Sequence, residues 1–590
     1  MSISRDIATI EANVLIIGGG FGGIWTALRA SEIADKVVLV DKAFVSRSGA
    51  STMSGGVTNA PMDEDDLQTW VDEIVVRGSY MCNQDWTWQL LKLQRERIRD
   101  FERWGVPIVR DADGRIKRFL SRGMVTVRCL QYNPKKAMEI LRARALAQGV
   151  RILDRLFITD LLTTDGRYPT RGAVAGAVGF NTRSGERVVV RSRTTVIATG
   201  MTSMKGTHRV DNTTGDGMAM GYRAGGRLCD LEFGFGGTFT HLMKDYSFTN
   251  YNVSVAHGAR LINRHGERFM EQYDPVRFER SELARVVAAF TKEIVEGRGP
   301  VYVDLRHVDP SYWDNLHAVS VSKGRNILLA GILPDPRAHP LPIEPTWGLW
   351  NGSRSGLKID IDCHTTVPGL FAVGSAAKND ATGTHASAGM PTAYCYTTGY
   401  RAGETAAREA LESDLPLVEQ PAVEMLLQGA MAPLDRPAGA LTVDQIHDRL
   451  ATLEASVVDS VRLSAGRLEL FASVAAEMRA AVDKTKALDV HDLVKLHEAR
   501  NLAECALLVY QSSLDRTESR EQFYREDYPN TDDDAWFCWH GVTRGERGEP
   551  IFDRERIPLE NFAMQPPHPY KGRSPIAAMM DGTFDPAHFT

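Results

Sequence analysis

The chain is short of cysteine, of long hydrophobic runs and of charge of one sign. Its seven cysteines in 590 residues (Cys82, Cys129, Cys229, Cys363, Cys395, Cys505 and Cys538) include no CxxC pair. That spacing argues against a zinc ribbon or an in-chain iron–sulfur cluster of the usual kind, and no metal site is expected. So few thiols also argue against a disulfide scaffold and suit a reducing compartment. No stretch reaches the roughly 18 uninterrupted apolar residues of a membrane-spanning helix. The opening MSISRDIATIEANV has no charged segment followed by a long apolar one, so no secretory signal is expected and the protein is expected in the cytoplasm. Lys plus Arg is 69 against 75 for Asp plus Glu, a net charge of -6, which does not favour nucleic acid or an anionic membrane as partner. Internal repeats and low-complexity segments are lacking too.

What is plentiful is glycine, 51 residues, and its placement is informative. Val14, Leu15, Ile16 and Ile17 read as a buried parallel strand. Gly18-Gly19-Gly20-Phe21-Gly22-Gly23 follows at once and opens a helical stretch. Gly18, Gly20 and Gly23 match GxGxxG: one for the tight turn, one for close approach to a pyrophosphate, one for helix–strand packing. The helix N-terminus favours the pyrophosphate. A second strand, Val37 to Val40, ends in Asp41 with Lys42 beside it; an acid there accepts from adenosine ribose hydroxyls. The dinucleotide is not named by this motif. Two distant segments, Thr194 to Gly200 ending in Ala198-Thr199-Gly200, and Gly369 to Ser375 with Gly374 and Ser375 at its end, look like segments of flavoproteins that bind FAD in an extended form.

Further runs resemble one family, the flavoprotein subunits of fumarate reductase and succinate dehydrogenase, with L-aspartate oxidase and the adenylylsulfate reductase flavoprotein. Arg47-Ser48-Gly49-Ala50 through Gly55-Gly56-Val57-Thr58-Asn59 is similar to the family's flavin-contacting loop. Thr214-Gly215-Asp216-Gly217 resembles its TGDG run, and Leu261 to Met270 its LxNxxGERFM run. Glu518-Ser519-Arg520, Arg525 to Pro529, Asp532, Asp533 and Trp536 resemble its tail signature. The resemblance covers about Val14 to Trp536. It implies FAD, with Ser48, Gly49, Gly55, Gly56, Asp216, Pro391 and Thr392 at the cofactor; Pro391-Thr392 would open a helix directed at the flavin.

The departures point elsewhere than to dicarboxylates. Covalent members carry a flavin-bonded histidine where Gly49 stands, so noncovalent FAD is expected, as in the adenylylsulfate reductase form; Asn59 falls where that flavoprotein has an active-site asparagine. Positions matching the family's carboxylate-binding residues fall at or near Gly237, Val255, Gly348 or Asn351, and Ala386. Two carboxylates need several fixed cations and donors, so succinate, fumarate and aspartate are not expected as substrates. Arg280 is the nearest counterpart of the family's proton-donating arginine, at a spacing from GERFM a few residues shorter, with Arg285 its rival; an arginine on a helix face paired with a glutamate such as Glu282 is the competing view. His241, His257 and His385 are candidate acids or bases, each with a structural alternative. Trp347, with Trp350, is a candidate stacking residue or a packing one.

The resemblance implies an α/β fold: a Rossmann-like FAD-binding domain over 1–235 and 355–414, an inserted α+β capping domain over 236–354 that forms the substrate side, and a C-terminal helical domain over 440–519. A proline-rich linker near 415–437 and a surface-wrapping tail over 520–590 complete the expectation. The leading function is an FAD-dependent oxidoreductase moving a hydride or electron pair between flavin and a small-molecule substrate. The alternative is the flavoprotein subunit of an adenylylsulfate-reductase-like complex with a separate iron–sulfur or other electron-transfer protein. A flavin-bearing protein without turnover is a third reading.

Overall fold

The computed structural model describes residues 7–204, 212–241, 247–248, 251–319, 334–349, 354–385, 387–453 and 456–585. Its centre is a seven-stranded sheet in the order Arg151–Asp154, Val37–Asp41, Ile7–Ile17, Arg187–Ile197, Val174–Asn181, Leu156–Thr163, with Leu370–Ala372 paired to Arg187–Ile197. The pairs on either side of Ile7–Ile17 are parallel, with Val14 opposite Val37 and Thr194. Continuous apolar runs make these strands because both faces are covered; Val14, Leu15 and Ile16 are fully buried.

Two helices lie against each other over this sheet. Phe21–Ser31 follows the glycine turn and Met390–Glu412 returns from the far end of the sequence. Their backbones approach so closely that a Cβ at Gly399 would lie 2.4 Å from the Gly22 carbonyl, and one at Gly403 2.6 Å from that of Thr26. Neither glycine tolerates a side chain.

A three-stranded sheet of Val57–Asn59, Arg128–Gln131 and Arg118–Leu120 puts Asn59 opposite Cys129 and presents the loop around Arg122. The inserted unit is a five-stranded antiparallel sheet with its own core, in which Leu261, Val301 and Val303 pack on Val286 and Phe290 of helix Leu283–Val295. The C-terminal helices Val443–Thr452, Ala465–Val482 and Val490–Asp515 join the main core. The last of these is buried around most of its circumference.

Two segments differ from the sequence expectation. The proline-rich stretch contains the helix Gln420–Met431, whose Pro421 sits in the first turn, where a missing N–H costs nothing. The tail is also structural. Its strand Cys538–Arg544 pairs with Leu228–Cys229, and Ile576, Ala577 and Met579 of helix Pro575–Asp581 enter the capping-domain core. Arg516, Glu232, Glu518 and His540, all with fully buried side chains, bind the tail to the helical domain through ion pairs, Arg516 Nε to Glu232 Oε1 at 2.6 Å among them.

Candidate active site

The turn between Ile17 and Phe21 opens a glycine-rich cavity. Gly18, Gly20, Asp41, Lys42, Ser48, Gly49, Ala198, Thr199, Gly200, Asp216, Gly374 and Ser375 all line it. Gly18 has a φ of +109°, and a Cβ on it would lie 2.4 Å from the Ala198 carbonyl. Gly23 stands behind the cavity, where a Cβ would collide with the Gly18 carbonyl at 1.8 Å; its task is helix–strand packing. The Asp41 carboxylate is fixed by the N–H groups of Gly19 and Ala43, each at 2.8 Å. Burial pushes its pKa up, and those two donors and Lys42 oppose the rise. Backbone held bare of side chains, a free helix N-terminus and a fixed carboxylate suit a dinucleotide. Gly55, Gly56, Pro391 and Thr392 do not line this cavity. Gly56, at φ +68°, instead accepts from the Tyr132 N–H at 2.7 Å and sets the turn into the strand carrying Asn59.

A second group of polar side chains converges beyond that strand. The Ala388 carbonyl accepts from Asn59 Nδ2 at 2.9 Å, Ser121 Oγ at 3.0 Å and Cys129 Sγ at 3.1 Å. These bonds hold the loop before helix Met390–Glu412 against the loop that carries Arg122. His385 is buried on the first loop and packs against Gly123 on the second. Arg122 and Arg354 are buried beside it; Arg122 Nε donates to Asn252 Oδ1 at 2.6 Å and Arg354 donates to the Thr384 carbonyl.

Burial governs the electrostatics here. It pulls the Arg122 pKa down to about 10, against Tyr251 and Glu282, and the Arg354 pKa down to about 9, where Glu521 opposes the fall and Arg122 reinforces it. Burial also pulls His385 down to about 3; Glu282 opposes this, and Arg122, Arg354 and Arg77 reinforce it. His385 is therefore a neutral imidazole at neutral pH. Its Nε2 has no hydrogen-bond partner among the described residues. Burial pushes Glu282 up, but the cations Arg285, Arg77 and Arg277 around it outweigh burial and lower its pKa.

Comparison with known proteins decides the family. A family model described as an FAD binding domain matches residues 13–391, and one described as fumarate reductase flavoprotein C-term matches residues 462–570. The chain belongs to the fumarate reductase and succinate dehydrogenase flavoprotein family. One subunit of the fumarate reductase (CoM/CoB) of Methanothermobacter marburgensis is 29% identical over 557 residues, covering 88% of this chain and 95% of its own. The fold is similar to that of a quinol fumarate reductase chain from E. coli, with a TM-score of 0.82 at 23% identity over 95% of this chain and 98% of that one. It is also similar to adenylylsulfate reductase from Archaeoglobus fulgidus, with a TM-score of 0.77 at 22% identity over 94% and 96%.

This flavoprotein is an FAD-dependent oxidoreductase, and its glycine-lined cavity suits that cofactor. Among the described residues, no helix is long and apolar enough to cross a membrane and no cluster of metal ligands occurs. The other candidate residues of the sequence have varied surroundings. Arg280 does not join the buried group: it lies on a short 3-10 turn with an exposed side chain, while its neighbour Glu279 is buried and held by Arg268. Arg285 is buried but engages Asp274 at 3.3 Å. His257 follows the helix Tyr251–Ala256, its Nδ1 2.8 Å from the Val253 carbonyl and its ring against Tyr312. The side chains of His241 and Trp347 lie outside the described residues, as do Trp350, Asn351 and Ala386; the backbone pairs Gly237 with Trp347 in the capping sheet. Arg122 and Arg354 escaped the sequence reading, because neither sits in a motif and only folding brings them to His385.

Proposed function

We propose that this flavoprotein moves an electron pair between FAD and a small anionic substrate held at Arg122, Arg354 and His385, and that the substrate is not succinate, fumarate or aspartate. The observation that carries this reading is the presence of two buried guanidinium groups that repel each other beside a neutral imidazole. An anion there relieves the repulsion, accepts charge-assisted hydrogen bonds, and raises the basicity of His385. Proton movement at His385 Nε2 then becomes tied to substrate arrival. FAD supplies the two-electron chemistry. The arginines bind and orient the substrate, Asn59 and Ser121 fix the loop that carries His385, and the buried setting excludes water. The small or apolar residues near Gly237, Val255 and Gly348 argue against a second carboxylate. A screen of anionic and neutral compounds, following flavin bleaching without oxygen, tests this: anions alone are expected to react, and rapid reaction with succinate would overturn it.

A second reading is the flavoprotein subunit of an adenylylsulfate-reductase-like complex. It is favoured by buried Asn59 beside the group and by Gly49 at the flavin loop. With no cluster motif in the sequence, electrons would pass to a separate iron–sulfur protein. Co-purification of such a protein, with slow reoxidation of the reduced flavoprotein in air, would support it.

A further inference from the structure

Lys42 lines the glycine-rich cavity, yet its ammonium is fully engaged by the protein. Its three donors meet Thr214 Oγ1 at 2.7 Å, Asp216 Oδ2 at 2.8 Å and Glu498 Oε1 at 2.8 Å. An ammonium has three donors and no acceptor, so none is left to reach a phosphate. The Asp216 carboxylate is held from its other oxygen as well, by Thr214 Oγ1 at 2.8 Å and Asn501 Nδ2 at 2.9 Å. Asp216 opens the helix Asp216–Ala224 and faces the cavity. Glu498 and Asn501 do not line the cavity; they lie behind it on Val490–Asp515, one face of which therefore reaches the nucleotide end from the C-terminal domain.

We propose that Glu498 is a positioning residue for FAD: through Lys42 it fixes the direction of the Asp216 carboxylate, so that the C-terminal helical domain forms the second layer of the cofactor site. The charge balance supports this. One buried ammonium is shared by two carboxylates, side chains 15%, 9% and 5% exposed. Burial opposes the charge on Lys42, but Asp216 and Glu498 outweigh it and raise its pKa. If Lys42 is removed, two carboxylates face each other uncompensated, and Asp216 turns away or takes up a proton. The inference rests on this cavity being the FAD site.

The test is FAD affinity of the full chain, read by flavin fluorescence on dissociation and rebinding. Glu498→Gln is expected to weaken FAD binding about tenfold with far-UV circular dichroism unchanged, and Asn501→Ala to act in the same direction. Lys42→Met is expected to weaken it more. In the Lys42→Met background Glu498→Gln should then strengthen binding, because it removes one of two unneutralised carboxylates; a merely structural loosening would not reverse sign. Unchanged affinity in both Glu498→Gln and Asn501→Ala overturns the proposal, as does additive weakening in the double variant. If Lys42→Met does not fold, the two single variants decide alone, with Glu498→Asp expected to bind more tightly than Glu498→Gln. Ala50→Trp fills the cavity without touching the network. FAD retained there would sink the cavity assignment itself, whereas FAD lost there with Glu498→Gln unaffected sinks only the role of Glu498.

Discussion

His385 and Glu282 close on the same point of the backbone: a methyl group on Gly123 would lie 3.1 Å from His385 Cε1 and 3.2 Å from Glu282 Cγ. Gly123 also has a φ of +78°, which other residues rarely adopt. Gly123→Ala is therefore expected to push the imidazole aside. It should leave FAD bound and slow turnover of the substrate found by the anion screen by about tenfold to a hundredfold. Steady-state rates and the flavin spectrum together check this.

Arg122 and Arg354 should govern anion binding and little else at the cofactor. Arg122→Met and Arg354→Met are each expected to weaken binding of inorganic sulfate, followed by perturbation of the flavin absorbance, by about tenfold or more. FAD content should be unchanged.

The same anion should bind with a proton. Without an anion, burial and the arginines hold His385 near a pKa of about 3; an anion lifts that value. Sulfate affinity should therefore rise as pH falls below neutrality, and His385→Gln should flatten the dependence. Equal slopes in the two proteins would mean that another group takes the proton.

The tail network predicts a stability loss on the alkaline side. Burial pulls His540 down, but Glu232, 3.2 Å from Nδ1, and Asp515, 3.2 Å from Nε2, outweigh it and raise its pKa to about 9. A raised folded pKa gives stability that is fully present below the unfolded value of about 6.5 and is lost as pH rises through about 9. His540→Gln should cost about 1–3 kcal/mol at pH 6.5, and the gap to the wild type should narrow by pH 10. Thermal midpoints across that range test it.

Noncovalent attachment is expected from Gly49, which carries no nucleophile. Acid precipitation should release yellow flavin into the supernatant, and flavin retained in the pellet would contradict it.

The glycine-lined cavity was legible because its sequence signals are local. Gly18, Gly20 and Asp41 lie within two strands and one turn, and each spacing follows from a backbone that must approach a phosphate. The arginines of the proposed anion site were not. Arg122 precedes a left-handed glycine in a loop, and Arg354 stands just before Gly356 on the return strand; nothing local marks either. Arg280 follows the GERFM run at a spacing a few residues shorter than the family's, and the turn there buries Glu279 and leaves Arg280 exposed. The helix Gln420–Met431 was hidden by counting Pro421 as a breaker when it occupies a first turn. The role of the tail was equally illegible, since apolar Ile576 and Met579 find their partners on a helix about 290 residues earlier.

The most direct test of the account is anaerobic reaction of the FAD-loaded protein and its Arg354→Met variant with a matched panel of anionic and neutral compounds, in both redox directions, followed by flavin absorbance. The account predicts that at least one anion changes the flavin redox state in the wild type, that succinate and fumarate do not, and that Arg354→Met keeps its FAD while losing that reaction. A neutral compound that reacts equally fast with both proteins, or rapid reaction with succinate or fumarate, would contradict it.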